Sequence, residues 1–389
     1  MKKENNCLDC LKAIACIMVV LNHFHGDGLL GQIIYTISHI GVPIFFLTSG
    51  YFLYSAEKDK TLQRLPFKKK HIVTLFLIHM ALYGYDFVIQ AFEEGRSQEY
   101  VIRTLQGSFS PVAFGRSFFW SESLFGTGQW FLIALIQAYV VFWIIYKFRA
   151  EGFIIKYSLP VAIILFAIHI PVRFILINSG ITGMGLVSIY ESAIVRNVWT
   201  DGLPFMLIGI HIHYIIAKGS SAIIKKNQSK SLLIIAFSFL IISVLEGIVT
   251  KIYYPDVSCV LYIGTIISCA SFFSYAIVNP EITNKYLAYI GKNLSMLVYF
   301  LHPIVGRYVN GIIIDSDYLL SHIRSILIII GTVGISFIVY KVNIIIKANC
   351  KVKGSEIAGI LVSIFSLMLW FLPTNVTPYS LAWGRLSEN

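Results

Sequence analysis

The chain has 389 residues, of which 57% are hydrophobic and only 13% are charged. Average soluble domains are about 45–50% apolar and about 25% charged, so this composition excludes an ordinary soluble enzyme, a disordered chain and a disulfide scaffold. The net charge of +11 would point to nucleic acid in a soluble protein. In a chain this apolar, we expect a lipid bilayer as the partner and no nucleic acid.

Long apolar runs recur along the whole sequence. We predict an all-α, polytopic transmembrane helix bundle of about 10–11 spans, because a spanning helix needs about 20 mostly apolar residues. The runs are too long for the strands of a membrane barrel and lack their alternating pattern. The predicted spans cover residues 8–24, 33–54, 71–92, 129–148, 153–176, 201–217, 231–250, 258–278, 292–314, 322–346 and 355–373.

The basic residues are divided unequally between the two sides of this predicted bundle. On the side of the N-terminus lie 22 of the 31 lysines and arginines, against nine on the other side. Because cytoplasmic loops carry an excess of these residues, we expect a multi-pass protein of the cell membrane with a cytoplasmic N-terminus. Eleven spans would place the C-terminus outside. The largest predicted outer loop covers residues 93–128.

Two ionisable side chains stand out in the first predicted span. Lys12 and His23 are eleven residues apart, which is about 20° beyond three helical turns and about 16 Å along the axis, so they share one face. Ionisable residues within a membrane are costly and mark functional sites. This pair suits a ligand threaded across the bilayer; alternatively, each side chain reaches the nearer surface. Asp9 lies on the same face and is placed to orient Lys12.

Small and polar residues mark further segments. Thr48-Ser49-Gly50 in the second span allows close helix approach and offers hydroxyl groups. The alternatives for these segments are helix packing, an interfacial aromatic belt or a hydrogen-bonded core histidine. Glu246, an acid in the seventh span, serves either as a structural partner to a basic residue or in an acceptor pocket. The side chains that we take as candidates to line a site are Ser49, Trp130, Asn293, Tyr299 and His302.

Taken together, these segments resemble the acyltransferase 3 family of integral-membrane O-acyltransferases. The first span of the family has a basic residue, ten intervening residues and a histidine, which Lys12 and His23 match. The resemblance covers roughly residues 8–346, so residues 347–389 would add a C-terminal span and tail. The other matching segments, in the family's order, are Pro43 to Gly50, Trp130-Phe131-Leu132, Arg196-Asn197 with Gly202 to Gly209, and Ile290 to Pro303.

The sequence departs from the family's pattern at two places. The basic residue of the first span is more often arginine, and lysine keeps the charge but loses the bidentate fork. The family's Arg-x-x-Arg at the start of the third span is missing, and the cluster at 68–71 (Lys-Lys-Lys-His) stands in its place. The chain is also similar to the membrane part of serine-racemase-type resistance proteins, without their soluble racemase domain.

The resemblance implies transfer of an acyl group, often acetyl, from cytoplasmic acyl-CoA to a hydroxyl of a cell-envelope glycan or a small exported molecule. Acyl-CoA would be a co-substrate, with no permanently bound cofactor and no metal. His23 would act as the general base, or as the carrier of a transient acyl group. The alternatives are a transporter of a sugar or amino-acid derivative and a non-catalytic sensor or uptake module.

The remaining candidate residues take two roles under this hypothesis. The phosphates of CoA would lie at the densest basic cluster of the inner side. Its members are Lys12, Arg64, Lys68, Lys69 and Lys70. An oxyanion needs hydrogen-bond donors, which Ser49, Asn293, Tyr299 or Trp130 would supply. His302 is the next imidazole near the centre, and Arg196 either reads the acceptor or anchors the interface.

Overall fold

The computed structural model describes residues 5–55, 110–121, 130–178, 196–218, 226–253, 261–312 and 318–350, with the short pieces 72–73, 76–77, 99, 102–103 and 106–107. Over these residues the chain is helical apart from turns and forms no β-strand, which confirms the all-α prediction. Seven helices in the described ranges are long and apolar enough to cross a membrane. The predicted span 355–373 and most of 71–92 lie outside the described residues.

The helices follow the predicted spans closely at most positions. Their bounds are Asn6–His23 (α1), Gly28–Ser38 (α2), Gly41–Leu53 (α3), Pro111–Trp120 (α4), Trp130–Lys147 (α5), Glu151–Asn178 (α6), Leu203–Ala217 (α7), Lys226–Tyr253 (α8), Ile263–Val278 (α9), Lys285–Tyr289 (α10), Ser295–Ile312 (α11) and Tyr318–Cys350 (α12). Two π-helical turns, Val198–Gly202 and Ile290–Leu294, lead directly into α7 and α11.

Two elements add detail to the sequence prediction. The second predicted span lies in Gly28–Leu53, one of the seven helical stretches long and apolar enough to cross a membrane. It is divided into α2 and α3 because the chain tightens at the junction, where the His39 and Ile40 N–H groups bond three residues back. The predicted outer loop 93–128 contains α4. Ser110 begins α4 by accepting a hydrogen bond from the Ala113 N–H at 3.2 Å, and Ser121 ends it with a φ of 57°. A serine followed by proline is a recognisable helix start.

The chain forms two compact units. The first unit contains α1 to α3, the segment Gly152–Leu159 of α6, and α7 through most of α12. The second contains α4, α5, the rest of α6 and the π-helical turn before α7. A core of the first unit joins α1, α11 and α12 through the buried residues Cys16, Val20, Leu294, Val298 and Ile328.

Glycines allow α3 and α7 to cross with their backbones in contact. A Cβ atom on Gly50 would overlap the Met206 backbone, and one on Gly209 would overlap the Leu47 carbonyl. Since the neighbouring hydroxyl of Ser49 bonds within its own helix, the glycines rather than the hydroxyls make this approach possible. The predicted close approach at 48–50 is therefore confirmed.

We expect Gly209→Ala to destabilise the protein by about 1–3 kcal/mol, because an added methyl group would push apart two helices that touch through backbone atoms. The matched control is Gly334→Ala in α12, where nothing lies within 4 Å of the added Cβ. There the loss of glycine's flexibility should stabilise the helix by about 0.5–1 kcal/mol. Thermal unfolding in detergent measures both, and equal midpoints for the two variants would contradict the prediction.

Glu246 has a structural partner. Its side chain lies in α8 and accepts a hydrogen bond at 2.9 Å from the Gly264 N–H in the first turn of α9. The first N–H groups of a helix lack partners within the helix, and a carboxylate there is favourable. A second polar contact, between the Ser243 and Thr265 hydroxyls at 2.7 Å, joins the same two helices. The partner found for Glu246 is thus a backbone N–H group, whereas the sequence had suggested a basic residue or an acceptor pocket.

Candidate active site

Helix α1 carries both residues of the proposed pair. It is regular from Asn6 to His23 and is anchored at its start by Asn5, which accepts from the Leu8 N–H and donates to the Ala276 carbonyl. His23 is the last helical residue, since Phe24 turns out of the helix with a φ of −138°. Lys12 and His23 are therefore held on one rigid element, about 16 Å apart along its axis.

Asp9 holds Lys12 in place. The Lys12 Nζ atom lies 2.7 Å from Asp9 Oδ1, and the two side chains are 21% and 15% exposed. The predicted orientation of Lys12 by Asp9 is confirmed. The π-helical turn before α11 packs here: a Cβ atom on Gly291 would overlap the Asp9 carbonyl oxygen, so only glycine permits this contact. The ammonium group is thus tethered beside a tightly packed turn.

His23 stacks on His302, which was a separate candidate in the sequence. The two ring centroids are 5.1 Å apart and the ring planes differ by 19°. His302 is buried in α11, and the ring of Tyr299 lies 5.9 Å away from it. The structure therefore joins three predicted residues, from two helices, into one cluster of rings.

A proline fixes the tautomer of His302. Pro303 lacks an N–H group, so the carbonyl of Tyr299, four residues earlier, loses its usual helical donor. The Nδ1 atom of His302 lies 2.7 Å from that carbonyl oxygen and must donate a hydrogen bond to it. In the neutral ring the lone pair is then on Nε2, as a proton acceptor requires. Pro303 thus leaves the Tyr299 carbonyl available to His302 Nδ1, an arrangement that the sequence analysis did not foresee.

A glycine one turn later brings the two histidines together. A Cβ atom on Gly306 would overlap the ring of Phe24, the residue that follows His23. The ring centroids of Phe24 and His302 are 6.5 Å apart. The position of Gly306, four residues after His302, is the only signal of this contact in the sequence.

Two other candidates are engaged in hydrogen bonds that hold helices. Asn293 donates from Nδ2 to the Tyr289 carbonyl at 3.1 Å and accepts from the Tyr340 hydroxyl of α12 at 2.9 Å. The Ser49 hydroxyl donates to the Phe45 carbonyl at 2.8 Å. Both side chains thus have structural partners in the first unit. Their proposed role as oxyanion donors stays a prediction.

Trp130 and Arg196 belong to the second unit. Trp130 is the first residue of α5 and is half-buried; Arg196 is half-buried and precedes Asn197. The Asn197 side chain accepts from the N–H groups of Trp199 and Thr200 and so begins the π-helical turn. Their roles in substrate binding stay predictions.

A polar network that the sequence analysis missed lies in the same unit. The Ser121 hydroxyl donates to Gln137 of α5 and accepts from the Val198 N–H at 3.0 Å. The Gln137 amide also donates to the Ser117 and Phe118 carbonyls of α4, each at 2.6 Å. A glutamine in the middle of an apolar helix was the signal in the sequence.

Most of the basic residues proposed for CoA lie outside the described residues. They are Arg64, Lys68, Lys69 and Lys70.

His25 lies in the turn between α1 and α2. Burial lowers the pKa of His25 below its ordinary value; nearby Asp27 raises it, whereas Arg324 and His322 lower it further. The ring of Tyr35 lies 4.9 Å away. Because this pKa is lowered in the folded state, the unfolded turn binds a proton more readily than the folded one.

We therefore expect the contribution of His25 to stability to be complete above about pH 6.5 and to be lost as the pH falls below that value. Thermal unfolding across this range measures the slope. His25→Gln removes the titrating group and should flatten the part of the slope that His25 causes. An unchanged slope in that variant would show that another group is responsible.

The fold and this site define a class of protein: an integral-membrane helical bundle with a pair of stacked imidazoles on adjoining helices, suited to moving a proton. The chain matches the sequence profile of the acyltransferase 3 family, described as an acyltransferase domain, over residues 5–341. It therefore belongs to that family and is a membrane acyltransferase. No curated protein and no solved structure matches the chain.

Proposed function

We propose that this protein moves an acyl group, of which acetyl is the expected example, from cytoplasmic acyl-CoA to a hydroxyl of a cell-envelope glycan or a small exported molecule. The observation that carries the proposal is the stacked pair of His23 and His302, 5.1 Å apart, within the family's matched region. An imidazole of ordinary basicity is suited to take a proton from a hydroxyl near neutral pH.

In the proposed reaction His23 is the general base. Its unprotonated nitrogen takes the proton of the acceptor hydroxyl while the oxygen attacks the thioester carbonyl. The tetrahedral intermediate then collapses, the carbon–sulfur bond breaks, and the leaving thiolate takes the proton back from His23. The products are the acylated acceptor and CoA, and the imidazole is neutral again. His302 supports His23 by stacking, in the orientation that the Tyr299 carbonyl imposes.

Lys12 is the proposed anchor for the donor. CoA carries phosphate groups, and an ammonium ion attracts them as a point charge. Asp9 keeps the Lys12 ammonium group near the start of α1, which we place on the cytoplasmic side because most basic residues lie there. The distance of about 16 Å to His23 would then be covered by the flexible arm of CoA.

Proteoliposomes test the proposed reaction. Radiolabelled acetyl-CoA is supplied on one side of the membrane, and a mixture of envelope glycans is supplied on the other. We expect covalent label in the acceptor that depends on the protein, and equal release of free CoA. Label in neither acceptor nor protein, with flux of unmodified acceptor across the membrane, would contradict the proposal and favour a transporter.

A further inference from the structure

Aromatic and histidine rings form a cluster where α3 and α7 end. The rings of Tyr51 and His213 are stacked with centroids 4.4 Å apart and planes 17° apart. Tyr54 meets the edge of His213 at 4.9 Å. His213 Nδ1 donates a hydrogen bond to the Tyr51 carbonyl at 2.7 Å, which locks its ring. These three rings form an aromatic surface in which a hydrogen bond holds His213.

Polar and basic side chains continue the cluster toward solvent. The fully buried Ser158 hydroxyl lies 3.2 Å from His211 Nδ1, which joins α6 to α7. Tyr214 follows, 6.3 Å from Tyr54, and the exposed Lys218 Nζ atom lies 4.5 Å from its ring centroid. We call Tyr51, Tyr54, Ser158, His211, His213, Tyr214 and Lys218 the aromatic–basic cluster.

This cluster lies at the end of the first unit where α1 begins. Tyr51 contacts Phe273 of α9, with ring centroids 5.7 Å apart. Ala276, three residues or about 4.5 Å further along α9, accepts a hydrogen bond from Asn5 at the start of α1. The aromatic–basic cluster is therefore close in depth to the Asp9–Lys12 pair, on the side that the proposed donor would approach.

We propose that the aromatic–basic cluster binds the nucleotide end of acyl-CoA, an inference that rests on the proposed function. Aromatic faces stack on nucleotide bases, and ammonium groups bind phosphates. The seven residues of the cluster include one lysine and two histidines but no carboxylate. Adenine would stack on Tyr214, and Lys218 would leave that ring to pair with a phosphate. The buried Ser158–His211 hydrogen bond keeps α7 in position for both contacts.

Equilibrium binding to the purified full-length protein tests this site. The probes are CoA, CoA without its 3′-phosphate, and phosphopantetheine, which lacks the nucleotide. We expect Lys218→Ala and Tyr214→Leu each to weaken CoA binding about tenfold while leaving phosphopantetheine binding unchanged. The matched control is Lys285→Ala, because Lys285 likewise lies over a tyrosine, Tyr286, with 4.9 Å from Nζ to the ring centroid. That variant should bind CoA as the wild type does.

Four results would overturn the inference. Wild-type affinity for CoA in both variants would overturn the site alone, provided that acetyl transfer persists and the proposed function stands. An equal loss of phosphopantetheine affinity would indicate a general structural defect and no nucleotide contact. Loss of binding only to vesicles of anionic lipid, with CoA affinity intact, would assign Lys218 to the membrane surface. Absence of CoA binding and of acetyl transfer in the wild type would overturn both proposals.

Discussion

Replacing His23 with alanine is expected to lower the rate of acyl transfer by about 10²–10⁴-fold, the usual contribution of a general base. The substitution removes the imidazole that would take the hydroxyl proton. Donor binding should be unchanged, because Lys12 lies about 16 Å away and is held by its own partner, Asp9. The effect should thus fall on kcat and leave the affinity for acyl-CoA intact.

Acetyl transfer from radiolabelled acetyl-CoA measures this rate, and equilibrium binding of CoA measures donor affinity. The matched control is His25→Gln, two residues away, since the ring of His25 packs on Tyr35 of α2. The control should retain transfer at about pH 7.5, where the titration of His25 no longer affects stability. Equal rates in the His23 and His25 variants would remove His23 from the mechanism. Label trapped on the wild-type protein and absent from His23→Ala would indicate an acyl-histidine intermediate.

The part of this site that lies on one helix could be predicted from the sequence. Lys12, His23 and Asp9 share a face because α1 is unbroken, so the helical repeat alone determines their relative positions. The apolar runs likewise predicted the all-α class and most helix positions, since the bilayer restricts spanning segments to helices or closed barrels. Both successes depend on local periodicity or on composition.

Contacts between helices could not be predicted in the same way. The stacking of His23 on His302 depends on Gly306, which lets Phe24 approach α11, and no periodic pattern encodes that distance. The tight turn at His39 lies inside a continuous apolar run, so hydropathy gave no sign of the junction between α2 and α3. The π-helical turn at Ile290–Leu294 has no signature of its own and follows from packing against α1.

His302 should matter for catalysis through its ring, which stacks on that of His23. We expect His302→Gln to lower acyl transfer about 10²-fold, because glutamine loses the ring on which His23 stacks. Donor affinity should not change. A polar replacement is chosen because the site is buried and the Tyr299 carbonyl still needs a donor, which a glutamine amide can supply.

Pro303→Ala separates the positioning of His302 from its mere presence. Alanine restores a backbone N–H that can bond to the Tyr299 carbonyl, so this oxygen no longer depends on His302 Nδ1. A proline in a helix interior costs about 3 kcal/mol, so this variant should be as stable as the wild type or more so. Its acyl transfer should nevertheless fall about tenfold, because the tautomer and the orientation of His302 are no longer imposed.

A variant that is more stable and equally active would show that the hydrogen bond to Tyr299 only replaces the backbone hydrogen bond that Pro303 cannot make. A variant that is more stable but slower, with its rate profile shifted in pH and its CoA affinity unchanged, would establish that the same bond positions the imidazole pair for proton transfer.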